Sequence, residues 1–155
     1  MATLLNEFVQ LTESLNSRGI EYAVCGGWAM AIHGFLRATL DIDVLILTDD
    51  LEAVRAVAME HGFNIDGLPL EFDGGETQIR RISKIDSVSK ELITLDMLLV
   101  SEALQDVWKG RKRVRWNRGE YWIVSREGMI VMKEKAARDK DLIDLKYLRG
   151  ENDGR

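Results

Sequence analysis

The stretch CGGWAMAIHGFLRATLDIDVLIL, residues 25–47, decides the fold. An apolar run, IEYAVC (20–25), meets two glycines, an alanine-rich segment follows, and the chain resumes as a strand headed by Asp41 and Asp43. Residues two apart on a strand project to one face, so these two carboxylates stand side by side while Ile42, Val44 and Ile46 turn into the core. A third acid, Asp96, interrupts the apolar ITLDMLLV (93–100). An unpaired carboxylate in an apolar sheet is costly, and adjacent like charges oppose each other's ionisation, so a cation is required nearby. Three carboxylates without a His or Cys cluster suit a hard, oxygen-seeking divalent ion, Mg²⁺ or Mn²⁺. The competing reading makes Asp41 a cap, pairs Asp43 with Arg37 or Arg81, and leaves Asp96 on an edge facing water. Gly26 and Gly27, at a strand end before a helix, let the backbone approach a phosphate and aim N–H groups at it.

Working outward, Leu4, Leu5, Phe8, Leu11 and Leu15 recur at helical spacing, giving an amphipathic helix that ends near Ser17-Arg18-Gly19. IEYAVCGG reads as a buried strand stopped by its glycines, WAMAIHGF as helical, LDIDVLIL as a strand, and DDLEAVRAVAMEHG as a helix capped by Asp49 or Asp50. Strand, helix, strand, helix opens an α/β fold. Beyond Gly74, ETQIRRIS and KELITLDMLLV form an antiparallel pair, SEALQDVWKG is a short helix, and RKRVRW with EYWIV makes a second hairpin around NRG. Two helices close the chain, REGMIVMKEKAA behind Ser125 and KDLIDLKYLRG behind Asp139.

The 155 residues suit one domain over 1–150, with the sheet in about 20–100, the hairpin and last helices in about 101–150, and a frayed tail at 151–155. With 46% hydrophobic and 30% charged residues the chain is of ordinary globular composition, not disordered or fibrous. A net charge of -5 argues against a general nucleic-acid coat, which needs clustered Lys and Arg. No signal-peptide pattern and no long apolar run stand in the sequence, so the expectation is a cytoplasmic protein with no membrane span. The single cysteine, Cys25, forms no internal disulfide and reads as a small core residue. His33 reads as helix-end packing and Trp28 as packing of the helix on the sheet. The one basic concentration, KGRKRVRWNRG (109–119), sets Arg111, Arg113 and Arg115 on one side of a hairpin. It is either a charge-protected edge strand or a docking surface for an RNA such as tRNA, with Trp116 or Trp122 for stacking.

The glycine turn, short helix and D-x-D strand resemble the nucleotidyltransferase superfamily typified by DNA polymerase beta. CGGWAMAIHGFLRATLDIDVLI is similar to the lincosamide and aminoglycoside nucleotidyltransferases and to the AbiEii-type toxins of toxin–antitoxin systems. MKEKAARDKDLIDLKYL (132–148) looks like the second branch. Leu40 stands where the antibiotic-modifying enzymes often carry a further acid. The resemblance implies an α+β, two-layer nucleotidyltransferase fold: a mixed sheet with helices packed on one side and short C-terminal helices. It implies a two-metal transfer of a nucleoside monophosphate from ATP or another NTP to a hydroxyl of a small molecule, an RNA end or a protein, with release of pyrophosphate. Asp41, Asp43 and Asp96 are then the metal-binding and catalytic residues. Gly26, Gly27, Arg37 and Lys133 bind the nucleotide, with Arg138 and Asp141 as weaker candidates; Lys133 otherwise snorkels to solvent. The alternative is a non-catalytic, nucleotidyltransferase-like toxin–antitoxin component that binds a protein partner.

Overall fold

A computed structural model of the chain describes residues 2–35, 41–117, 119–136 and 139–150. Arg37, Leu40, Arg118, Arg138 and the 151–155 tail lie outside the described residues. The first helix, α1 (Ala2–Ser17), leads to β1 (Ala23–Cys25), α2 (Gly26–Ile32) and β2 (Asp41–Ile46). A 3₁₀ turn and α3 (Leu51–Glu60) precede the short strands β3 (Ile65–Asp66) and β4 (Leu70–Phe72). The long pair β5 (Thr77–Ile85) and β6 (Leu92–Leu99) follows, then α4 (Gln105–Lys109), the hairpin β7 (Lys112–Trp116) and β8 (Gly119–Ile123), and α5 (Arg126–Ala136) and α6 (Asp139–Leu148).

The strands form one mixed sheet in the order β3-β5-β6-β2-β1-β8-β7, with β4 also paired to β5. β2 is antiparallel to β1 but parallel to β6, so the acid-bearing strands lie side by side at the centre. Ile42, Val44 and Ile46 are fully buried, as are Leu95 and, to within 1%, Met97 on β6. That face is roofed by α1 and α3: Lys84, which shares it, reaches Glu7 Oε2 on α1 (2.9 Å) and the His61 carbonyl just past α3 (2.7 Å). Phe8, Leu11 and Leu15 of α1 and Val54 and Val57 of α3 fill the space. Phe8 stacks on Trp28 of α2 at 4.4 Å between ring centroids, so Trp28 is a packing residue here.

Two local readings need correction. The strand expected over IEYAVCGG is only Ala23–Cys25, because Gly26 at φ +64° turns the chain directly into α2. A residue with a Cβ would resist that conformation. Asp50 occupies the position before α3 but makes no side-chain capping bond, since the 3₁₀ turn over Thr48–Asp50 already brings the backbone in near-helical geometry. Ser125 does cap α5: its Oγ accepts the Gly128 N–H at 3.0 Å.

Candidate active site

One row across the sheet carries the site. Arg81 on β5 lies opposite Asp96 on β6, Asp96 opposite Asp43 on β2, and Asp43 opposite Cys25 on β1. Directly paired residues point to one face, which here is the face away from α1 and α3. The next row on that face holds Ser83, Thr94 and Asp41, with Ser83 Oγ and Thr94 Oγ1 hydrogen-bonded at 3.0 Å. Asp41, Asp43 and Asp96 therefore share one patch of two adjacent central strands. Asp96 is 5% exposed and sits inside the sheet, not on a water-facing edge.

Gly26 closes one side of the patch. A Cβ there would fall 2.1 Å from Asp43 Oδ2 and 2.8 Å from its carboxyl carbon, so the Asp43 carboxylate occupies the space a side chain would take. Arg81 closes the other side: its Nε donates to Asp96 Oδ1 at 2.7 Å and its Nη2 to Oδ2 at 3.0 Å. This bond holds the Arg81 guanidinium pKa above its ordinary value against partial burial, and the fields of Asp96, Asp41 and Asp43 add to it. Arg81 thus pairs with Asp96, not with Asp43. Burial pushes the Cys25 thiol well up, with Asp43 and Asp96 adding to the rise and Lys133 opposing it.

Lys133 is 7% exposed and does not snorkel. Its Nζ lies 3.4 Å from Asp141 Oδ1 and 3.1 Å from Asp144 Oδ2, two α6 carboxylates with no exposed surface. Its charge lowers the Cys25 pKa against the rise from burial. Asp144 is the second acid of the K-D-x-x-D run 140–144, and its three-residue spacing from Asp141 sets both on one face of α6. Arg81 was missed as the partner of Asp96 because that contact depends on the β5–β6 register. His33 is the residue that caps the C-terminus of α2, and its Nε2 donates to the Val124 carbonyl at 2.9 Å.

The basic hairpin is tied up elsewhere. Arg113 donates to Glu120 Oε1 through Nε and Nη2 (3.1 and 2.8 Å), and Arg115 lies 3.7 Å from Glu120 Oε2. Arg111 pairs with Glu21 at 3.0 Å and lies over the Trp108 and Trp122 rings. These contacts fit the protected-edge reading. A groove of about 420 Å³ at this hairpin, lined by Arg115, Trp116, Asn117, Gly119 and Glu120, shares no residue with the acid row.

The donor chemistry of the patch fits a hard divalent ion: three carboxylates, with the neighbouring Cys25 thiol held neutral by burial and a glycine where a side chain would crowd Asp43. Among the described residues no three His, Cys, Asp or Glu side chains are gathered as a metal-ligand set, and both oxygens of Asp96 are engaged by Arg81. No described helix is long and apolar enough to cross a membrane.

Comparison with solved structures gives the same fold. ANT(2″)-Ia in complex with adenylyl-2″-tobramycin superposes with a TM-score of 0.67 at 13% identity, over 97% of this chain and 90% of that one. A Thermotoga maritima protein classed with the nucleotidyltransferases gives 0.64 at 13% identity, over 98% and 96%. JHP933 from Helicobacter pylori gives 0.55 at 17%, over 97% of this chain and 65% of that one. Comparison with curated proteins gives no match. The family model described as "Nucleotidyltransferase of unknown function (DUF6036)" matches residues 2–149, and the chain belongs to that nucleotidyltransferase family.

Proposed function

We propose that the protein is a Mg²⁺-dependent nucleotidyltransferase that moves a nucleoside monophosphate from an NTP to a hydroxyl acceptor and releases pyrophosphate. The observation that carries this reading is the register of β2 and β6, which sets Asp43 beside Asp96 and Asp41 one step along the same face. Asp41, Asp43 and Asp96 would hold the divalent ions, with Mn²⁺ able to replace Mg²⁺. When bound, such ions neutralise triphosphate charge and lower the pKa of the attacking hydroxyl.

The chain's own residues supply position and charge. The turn at Gly26 and Gly27 brings backbone N–H groups to the head of α2, where they would meet triphosphate oxygens. Arg37 and Lys133 are assigned to phosphate charge, Lys133 being held by Asp141 and Asp144. Asp96 would accept the acceptor's proton as the new oxygen–phosphorus bond forms and the bond to pyrophosphate breaks. The acceptor is a small molecule, an RNA end or a protein.

The test is thermal melting against each of the four NTPs, with Mg²⁺ and with EDTA, on wild type and on the Asp41→Asn/Asp43→Asn variant. A shift that needs both NTP and Mg²⁺ and vanishes in the variant is expected. An unchanged shift in the variant overturns the assignment of the acids. Tight capture of a protein partner that is indifferent to both substitutions, with no NTP response, replaces the enzyme by a binding protein of the same fold.

A further inference from the structure

The contact between Arg81 and Asp96 has a geometry beyond that of a simple ion pair. The guanidinium engages both Asp96 oxygens at 2.7 and 3.0 Å, so the fork uses two of the roughly four lone-pair sites that a carboxylate offers. The two partners differ in exposure: the Asp96 side chain is 7% exposed and that of Arg81 41%. The backbone of Arg81 is fixed, because Gly67 donates its N–H to the Arg81 carbonyl at 2.9 Å. The Gly67 backbone also lies so close that a Cβ there would stand 3.1 Å from Arg81 Cβ and 3.3 Å from Cγ. The head of the side chain borders solvent, so it can leave Asp96 without opening a cavity.

We propose that Arg81 is an internal counter-cation for the third carboxylate, held on Asp96 while the site is empty and displaced from it when a divalent ion binds. The inference rests on the metal-site reading above and deepens it. Its physical basis is that a buried carboxylate cannot stand uncompensated, and the site must exist before it is loaded. A guanidinium and a divalent ion on the same two oxygens repel each other, so loading and release are coupled. Arg81 is therefore a positioning residue that sets metal affinity.

The experiment measures Mn²⁺ affinity of the protein without nucleotide, by calorimetry and by the Mn²⁺ paramagnetic resonance signal. Wild type is compared with Arg81→Met, Arg81→Lys and Arg80→Met. Arg80→Met removes the same charge one residue away, from a side chain on the opposite face that bonds Gln78 and the Ile79 carbonyl. Arg81→Met is expected to bind Mn²⁺ about tenfold tighter, the scale on which partners of metal ligands act. Arg81→Lys, which keeps the charge but loses the fork, should fall between, and Arg80→Met should stay within about twofold of wild type. In melting experiments Mn²⁺ should raise the midpoint more in Arg81→Met than in wild type. If Arg81→Met does not fold without metal, Arg81→Lys decides by the same measure. Equal or weaker Mn²⁺ binding in the Arg81 variants overturns the proposal and leaves the metal site standing. If Mn²⁺ binds no form, or binds Asp41→Asn/Asp43→Asn as it binds wild type, the metal-site reading itself falls, and this inference with it.

Discussion

Replacing Gly26 by Ala tests the meeting of the glycine turn with the acid row. Two separate costs follow from the structure. The backbone at φ +64° is a left-handed conformation that costs a residue with a Cβ about 1–2 kcal/mol. For a domain of this size that lowers the melting midpoint by about 2–8 °C. The second cost is local: the new Cβ would lie 2.1 Å from Asp43 Oδ2, so the carboxylate must move by about 1 Å, a misplacement that costs on the order of 100-fold in rate where the group positions a reaction. Gly19→Ala separates the two, since Gly19 has φ +68° and a Cβ there would meet nothing within 4 Å. Both variants should melt lower than wild type, but only Gly26→Ala should also lose the Mg²⁺-dependent NTP shift. The assay is differential scanning fluorimetry with and without Mg²⁺ and NTP. A Gly26→Ala protein that matches Gly19→Ala in both readouts refutes the argument that Asp43 is seated against Gly26 for function.

Three further outcomes are expected from other parts of the fold. Lys133→Met removes an ammonium set between two fully buried carboxylates, and urea unfolding should show a loss of about 3–5 kcal/mol; a loss below about 1 kcal/mol would show the pair is not needed for stability. Ser125→Ala removes the Oγ that accepts the Gly128 N–H and should cost about 1 kcal/mol by the same assay, whereas an unchanged midpoint would mean water replaces the cap. The Tyr22 hydroxyl is pushed up to about 12, chiefly by burial, so it stays neutral in the folded chain while the unfolded chain ionises near pH 10. Its contribution is intact below pH 10 and is lost as pH rises from about 10 to 12, amounting to about 2–3 kcal/mol. Stability of Tyr22→Phe followed over that range should fall less than wild type, and parallel curves would exclude Tyr22 as the cause.

The parts of the molecule legible in the sequence are those fixed by local pattern. Alternation in DIDVLI placed Asp41 and Asp43 on one face and Ile42, Val44 and Ile46 in the core, and the burial follows it through Val44, beyond which Leu45 is buried on the acid-bearing face as well. Helical spacing located α1, and the turn NRG located the β7–β8 hairpin. What could not be read depends on register and on packing between distant segments. The β5–β6 pair was legible, but that Arg81 meets Asp96 is decided by its register, which sets the two residues opposite each other. The strands β3 and β4 are two and three residues long and largely exposed, too short to leave a periodic signal. Lys133 read either as a nucleotide-binding residue or as one that snorkels to solvent, and its buried pairing with Asp141 and Asp144 of α6 depends on how the two helices pack. The basic hairpin read either as a charge-protected edge or as a docking surface, and its matching acids, Glu21 far away in the chain and Glu120 across the turn, depend on the fold.

The parallel pairing of β2 with β6 also orders events during synthesis. Asp41 and Asp43 leave the ribosome early, but their neighbour Asp96 follows only after α3 and the long β5 strand have emerged, and Lys133 later still. β1 waits longer for its outer neighbour, because Val24 pairs with Ile123. The nascent chain therefore exposes an incomplete central sheet, with β1 and β2 as open edges, until much of its length has been made. Such edges are templates for wrong pairing, and slow, non-local closure prolongs their exposure. The carboxylates of β2 then have a second use that needs no substrate: they place like charges on a strand whose outer side stays uncovered until β6 is made, where a second nascent copy would otherwise add.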